Sequence, residues 1–247
     1  MRLEGKTAII TGAASGFGKE TALRFAEEGA SIAVVDLNID GAREVAAEIN
    51  AAGGRAIAIQ TNVTEEAAIH DMVEQVKAEF GVIDILINNA GMSRSKPIEE
   101  LSLREWDQAM NLNLKSVFLC TREVIPHMIE RQYGKIVNLA SICAQTARAV
   151  AVDYSASKSG IVGITRTVAL QVAKHGINVN AVAPGPVETP LWQTFAPERK
   201  AALMNSVPFK RMGTPRDIAN LLLFLASDEA GWITGECVAI NGGTFIG

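Results

Sequence analysis

The sequence predicts an α/β fold: a single domain, residues 1–247, built on one open, doubly wound parallel sheet of seven strands flanked by helices. Two observations predict it. Seven short runs rich in Val, Ile and Ala recur along the chain, and longer segments with apolar residues at three- and four-residue spacing separate them. The runs are apolar almost throughout instead of alternating, as strands covered on both faces are. Repeated β-α alternation of this kind folds into a parallel sheet with right-handed crossovers.

The strand-like runs are Thr7–Thr11, Ser31–Asp36, Ala56–Gln60, Ile83–Asn88, Lys135–Leu139, Asn178–Val182 and Cys237–Asn241. The helical segments are Gly18–Glu28, Asp40–Ala52, Glu65–Phe80, Leu103–Arg131 and Ser155–Lys174. Pro184-Gly185-Pro186 ends the sixth run sharply. The stretch that follows, Val187–Gly213, holds Trp192, Phe195, Met204, Phe209 and Met212 without a strand pattern. It reads as short helices in a substrate-loop excursion, since a long connection inside a compact domain is often functional. An ordinary helical excursion or a subunit contact is the alternative.

Composition narrows the function. The chain has 247 residues, 48% hydrophobic and 20% charged, with a formal charge of −4. No block of like charge marks a nucleic-acid surface, and no apolar run reaches the ~18 residues of a membrane span. The first residues lead straight into a strand-like run, which leaves no room for a signal peptide. Cys120, Cys143 and Cys237 are scattered and odd in number, which suggests a reducing cytoplasm. His70, His127 and His175 lack metal-ligand spacing, so no metal is expected.

Three features carry chemistry. The first strand runs into Thr11-Gly12-Ala-Ala-Ser15-Gly16-Phe17-Gly18 and then a helix. Glycines let backbone approach a ligand, and the helix N-terminus offers free N–H groups to a pyrophosphate. Asp36 ends the second strand, where a carboxylate would accept from adenosine ribose hydroxyls and repel a 2′-phosphate. No Lys or Arg occupies Ala13–Ser15, Leu37 or Asn38, so NAD is favoured over NADP; a turn-capping aspartate is the alternative. Tyr154 and Lys158 lie four apart and share one helical face. A neighbouring positive charge lowers a phenol's pKa, so the pair suits proton transfer; the alternative is an exposed tyrosine beside a solvated lysine.

Taken in order, these motifs resemble the short-chain dehydrogenase/reductase family, in its common branch of chains about as long as this one. Asn88-Asn89-Ala90-Gly91 follows the fourth strand, Asn113, Ser141, Tyr154 and Lys158 fall where the family's catalytic tetrad falls, and Pro184-Gly185 and Asn241-Gly-Gly243 match later signatures. The resemblance covers essentially the whole chain and implies a Rossmann-like fold. It implies cofactor contacts at Gly12, Ser15, Gly16, Phe17, Gly18, Asp36, Asn62, Val63, Asn89, Ala90, Gly91, Tyr154, Lys158, Pro184, Gly185, Val187 and Thr189. Asn62 departs from the family's usual aspartate; its amide can still accept from an adenine amino group.

The resemblance also implies a chemistry. Tyr154 is the acid/base, Lys158 lowers its pKa and holds the nicotinamide ribose, and Ser141 donates to the substrate oxygen. Asn113 sits at a local helical kink whose carbonyl holds a relay water, with a buried structural amide as the alternative. Ser141, Cys143, Gln145, Tyr154 and Trp192 are the candidate substrate contacts. Arg94 and Arg148 read as surface arginines or as partners for an anionic substrate. The family is commonly tetrameric. Ile161, Ile164, Val168 and Val172 on one helix, and a glycine-rich C-terminus, fit a homotetramer. The expected activity is NAD(H)-dependent interconversion of a secondary alcohol, such as a polyol or hydroxy acid, and its ketone. The alternatives are an NADPH-dependent 3-oxoacyl-thioester (acyl-carrier-protein) reductase and, in a different class, a non-catalytic nucleotide sensor.

Overall fold

The structure, a computed structural model, describes residues 1–146, 151–188 and 196–246. Its centre is a seven-stranded sheet in the order β3-β2-β1-β4-β5-β6-β7, with every pair parallel. The strands are β1 Thr7–Thr11, β2 Ser31–Asp36, β3 Arg55–Gln60, β4 Ile85–Asn88, β5 Gly134–Leu139, β6 Ile177–Pro184 and β7 Cys237–Ile240. Each of the seven predicted runs is a strand. The ends differ by a few residues: β4 starts two residues late and β6 runs on to Pro184.

Helices cover both faces, so neighbouring strand residues enter opposite cores. Ile10, Ile32, Val34, Ile87 and Val182 pack on one side. There they meet α1 (Gly16–Glu27), α2 (Ile39–Ala51) and α8 (Pro215–Ala226), through residues such as Phe25, Ile49 and Leu222. Ile9, Val35, Leu86, Ile136 and Val179 pack on the other, under α3 (Glu66–Phe80), α5 (Ser116–Arg131) and α6 (Val152–Val172). This two-sided burial is why the strands lack polar alternation.

Two helical segments differ from expectation. The single helix read over Leu103–Arg131 is three pieces: α4 (Leu103–Ala109), a π-helical segment Met110–Lys115, and α5. A π segment inserts residues into the ladder without disturbing the gross apolar pattern. After the sixth strand, α7 (Pro197–Ser206) is one of the expected short helices, and α8 follows it. A Thr214/Asp217 capping box with Pro215 just inside starts α8.

β1 pairs with both β2 and β4. Chain order reverses there, so the loops leaving the strand C-termini diverge and open a crevice. Among the described residues, no helix is long and apolar enough to cross a membrane.

Candidate active site

The crevice is a cavity of about 560 Å³ at the C-terminal ends of the strands. Gly12, Ser15, Phe17, Asp36, Asn62, Val63, Asn89, Ala90, Gly91, Ser141, Tyr154, Lys158, Pro184, Gly185 and Val187 all border it. One cleft therefore gathers residues from six strand ends. Thr61, Met92, Leu112, Leu139 and Ala140 border it as well and were not singled out by the sequence. They carry no motif: Thr61, Leu139 and Ala140 lie at strand ends, Met92 in the segment after β4 and Leu112 in the π segment.

At one end, Gly12 adopts a left-handed backbone with φ +64° that favours glycine. Thr11 braces the loop: its hydroxyl accepts from the Asn89 and Ala90 N–H groups at 3.0 and 3.1 Å. The Asn89 amide donates to the Thr11 and Gly12 carbonyls at 2.8 and 2.9 Å. Asn89 thus builds the loop as well as lining the cleft. Gly18 does not border the cavity and neither does Gly16. Gly18 is a packing glycine: a Cβ there would lie 2.2 Å from the Gly12 carbonyl oxygen and 2.8 Å from Ala13 Cα. Both obstacles are main chain and cannot swing aside. Gly18→Ala is expected to cost about 1–3 kcal/mol by overpacking, read as a lower melting temperature; an unchanged melt would show that the loop yields.

Asp36 caps the turn and also faces the cleft. Its Oδ2 accepts from the Ala14 N–H at 3.0 Å and its Oδ1 from the Asn38 N–H at 2.9 Å, while the carboxylate borders the cleft. Each carboxylate oxygen keeps capacity for a further donor. Asn62 uses its acceptor locally: Oδ1 takes the Thr64 N–H at 3.1 Å and the Thr64 hydroxyl at 2.8 Å.

The other end of the cleft holds Ser141, Tyr154 and Lys158. Ser141 lies just past the end of β5 and caps the short 3₁₀ turn Ile142–Ala144, its hydroxyl accepting from the Cys143 N–H at 3.1 Å. Tyr154 and Lys158 project from α6, with Lys158 Nζ 5.8 Å from the phenol ring centre. Lys158 is 6% exposed and donates to the Leu139 carbonyl at 2.5 Å. Burial pushes its ammonium down to about 8. The ligand-free Tyr154 differs from expectation. Burial holds its phenol above the ordinary value, a hydrogen bond with Ser141 opposes this, and Cys143 adds to the rise.

Asn113 lies inside the π segment and is wholly buried. Its Oδ1 accepts from the Met92 N–H at 2.8 Å, and its Nδ2 donates to the Met92 carbonyl at 3.0 Å and to Ser157 Oγ at 3.1 Å. The side chain is therefore structural, and only its main chain remains for the relay expected of it. Asn88 bridges to Thr121 and Asn138, and Asn138 bonds Thr165, so a satisfied polar ladder ties β4 and β5 to α5 and α6.

Several expected substrate contacts are not brought together. Cys143 and Gln145 sit in or just after the 3₁₀ turn and do not border the cavity. Thr189, Trp192 and Arg148 lie outside the described residues. Arg94 is neither solvated nor free for an anion. Its guanidinium lies 3.3 Å from Glu105 and 3.4 Å from Asp153, which is fully buried. The two residues that hold it are far away in sequence, so the pairing carried no local signal.

The site has the parts a nicotinamide cofactor needs: a close-approach glycine loop at a helix N-terminus, a carboxylate at the β2 end, and a buried hydroxyl–phenol–ammonium set opposite. Fold and site together define an oxidoreductase of the dinucleotide-binding α/β class. A family profile described as Enoyl-(Acyl carrier protein) reductase matches residues 12–244. Over 243 residues, 98% of both proteins, the chain is 43% identical to the (2S)-[(R)-hydroxy(phenyl)methyl]succinyl-CoA dehydrogenase subunit BbsD of Thauera aromatica. Over 246 residues, the whole of both, it is 40% identical to the 3-oxoacyl-[acyl-carrier-protein] reductase FabG of Thermotoga maritima. A solved structure described as a candidate gluconate dehydrogenase from Agrobacterium tumefaciens superposes with a TM-score of 0.95. It is 33% identical, and the match covers 98% of this chain and 96% of that one. The chain belongs to the short-chain dehydrogenase/reductase family.

Proposed function

We propose that the protein is an NAD(H)-dependent oxidoreductase interconverting a secondary alcohol and its ketone, with Tyr154 as the acid/base. The observation that carries this reading is one cleft with Ser141, Tyr154 and Lys158 at one end and Asp36 at the other. The bound nicotinamide supplies hydride acceptance and donation. Tyr154 Oη takes the hydroxyl proton of the alcohol or returns it to the ketone. The Ser141 hydroxyl donates to the substrate oxygen and steadies the charge that develops there. Lys158 uses one of its three N–H donors on Leu139 and offers the others to ribose hydroxyls. The main-chain carbonyl of Asn113 holds a relay water. Val187, which borders the cleft, would meet the carboxamide side of the cofactor.

Asp36 supports NAD over NADP. Its charge disfavours a 2′-phosphate, and Leu37 and Asn38 provide no cation to replace it. Initial rates with the two cofactors are expected to favour NAD at least about tenfold, a difference of about 1.4 kcal/mol. An equal preference for NADP would reject the reading of Asp36.

A second reading, a 3-oxoacyl or 3-hydroxyacyl thioester as substrate, is favoured by two relatives whose names specify thioesters. The gluconate description of the structural neighbour supports a polyol or hydroxy acid. A panel of secondary alcohols, gluconate and 3-hydroxybutyryl-CoA with NAD, and acetoacetyl-CoA with NADH and NADPH, separates them. NAD binding without turnover across the panel would favour the nucleotide sensor, against which the intact Ser141, Tyr154 and Lys158 stand. We assign the protein to the cytoplasm on its free cysteines. A homotetramer gains support from Phe118, Leu170 and Trp232, which are 47%, 85% and 100% exposed. Ile161 and Val172 no longer count toward it, since both are buried in the chain's own core.

A further inference from the structure

We infer that Arg94 and Asp153 form a positioning clamp for Tyr154, fastening the first turn of α6 to the Met92–Lys96 segment beside the cleft. This rests on the acid/base reading of Tyr154 above. Asp153 is the residue before Tyr154 and has no exposed surface. Its Oδ1 accepts from the Tyr154 main-chain N–H at 2.8 Å. Among the described residues its Oδ2 is buried with no hydrogen-bond partner and faces Arg94 Nε, likewise buried and unbonded there, at 3.4 Å. One carboxylate therefore joins the tyrosine's backbone to the guanidinium. Burying a charge is costly unless an opposite charge meets it, so the pair holds both elements in place.

Arg94 grips the same turn a second time. Its carbonyl accepts from the N–H of Ala151, the N-cap of α6, at 3.4 Å. The segment that carries Arg94 is anchored on both sides. Met92 is bonded through both its main-chain groups to Asn113, and Lys96 reaches both Glu105 oxygens at 2.9 Å. Glu105 also meets Arg94 at 3.3 Å. Two cations, Arg94 and Lys96, thus face two carboxylates, Glu105 and Asp153. Met92 and Ser93 of the same segment border the cleft. The phenol is therefore set relative to the cleft wall by a connection that bypasses the strand end carrying Ser141.

A cluster that merely stabilised the fold would leave the Tyr154 ring where it is when trimmed, so the test reads that ring. The chain has two tyrosines, Tyr133 and Tyr154. Tyrosine labelled with ¹³C at Cζ gives two signals, assigned with Tyr154→Phe. Tyr133, bonded to Asp228 next to the start of β5, is the internal control. Arg94→Met and Asp153→Asn are each expected to shift or broaden the Tyr154 signal while the Tyr133 signal holds. The double variant is expected to shift it by less than the sum of the singles, because either single change already cuts the connection and leaves the other charge buried and unpaired. Arg94→Lys keeps the charge and is expected to keep the wild-type signal. An unmoved Tyr154 signal in both single variants overturns the clamp. So does a double variant whose shift is the sum of the singles, or an Arg94→Lys shift as large as that of Arg94→Met. If the single variants fail to fold, the double variant and Arg94→Lys decide by the same signals. The spectra report ring placement whether or not the phenol moves protons. Turnover retained by Tyr154→Phe would sink the acid/base reading separately.

Discussion

Tyr154→Phe is expected to lower turnover by about 10³-fold, within the 10²–10⁴ range of a lost acid/base group, while NAD affinity and the melting temperature stay close to wild type. The substitution removes one oxygen and keeps the ring that packs in the site. The phenol's hydrogen bond with Ser141 is lost, but Ser141 Oγ keeps the Cys143 N–H. The wild-type pH profile has a defined sign. Burial holds the Tyr154 phenol above its ordinary value, so it is protonated at neutral pH and ready to donate to a ketone. Alcohol oxidation needs the phenolate and is expected to accelerate as pH rises; ketone reduction needs the phenol and is expected to slow at the same limb. Stopped-flow or steady-state rates in both directions, on whichever panel substrate is turned over, would show these opposed limbs in wild type and neither in Tyr154→Phe. Full activity in the variant would remove Tyr154 from the chemistry.

The alternation of apolar runs and helical patterns made the sheet legible because burial on both faces leaves a direct compositional mark. The doubly wound class followed from that alternation plus the handedness of crossovers, whereas the strand order that places the switch point came from the pairing itself. The Tyr154/Lys158 pair was legible because helix geometry converts a spacing of four into proximity. What escaped was of another physical kind. The π segment at Met110–Lys115 changes the local winding without altering which residues are apolar, so the pattern passes through it. Asn113 stood out as a weak helix former, yet its partners on Met92 and Ser157 depend on tertiary contacts. Asp153 gave no signal, because the sequence pattern starts the helix at Ser155 and the structure starts it at Val152. Its partner Arg94 lies in an irregular segment with no periodicity to place it. The elevated Tyr154 pKa was missed for a related reason: proximity to Lys158 can be read from spacing, but depth of burial, the largest cause of the rise, cannot.

Lys158→Met is expected to end turnover and yet leave the protein at least as stable as wild type. The ammonium is buried, and its depression to about 8 from 10.5 has burial as its cause, with no carboxylate offsetting it among the described residues. That difference corresponds to about 3 kcal/mol of cost for holding the charge in the folded chain. The sign follows from proton counting. The folded-state pKa lies below the unfolded one, so between about pH 8 and 10.5 the unfolded chain binds more protons, and stability rises with pH across that window. Below it, the full cost is present. Methionine removes the charge but strips the Leu139 carbonyl of its donor, which restores about 1–3 kcal/mol of penalty. The net expectation is a gain of about 1 kcal/mol near neutral pH, or about 2–4 °C in melting temperature for a chain of this size. The same substitution should flatten the rise in stability between about pH 8 and 10.5. Thermal melts at the two ends of that window, run alongside activity, test both halves. A melting temperature several degrees below wild type, or an undiminished alkaline rise, would show that the lysine is held for structure. A lysine whose removal steadies the fold and halts turnover is instead a group whose burial destabilises the chain and serves the reaction.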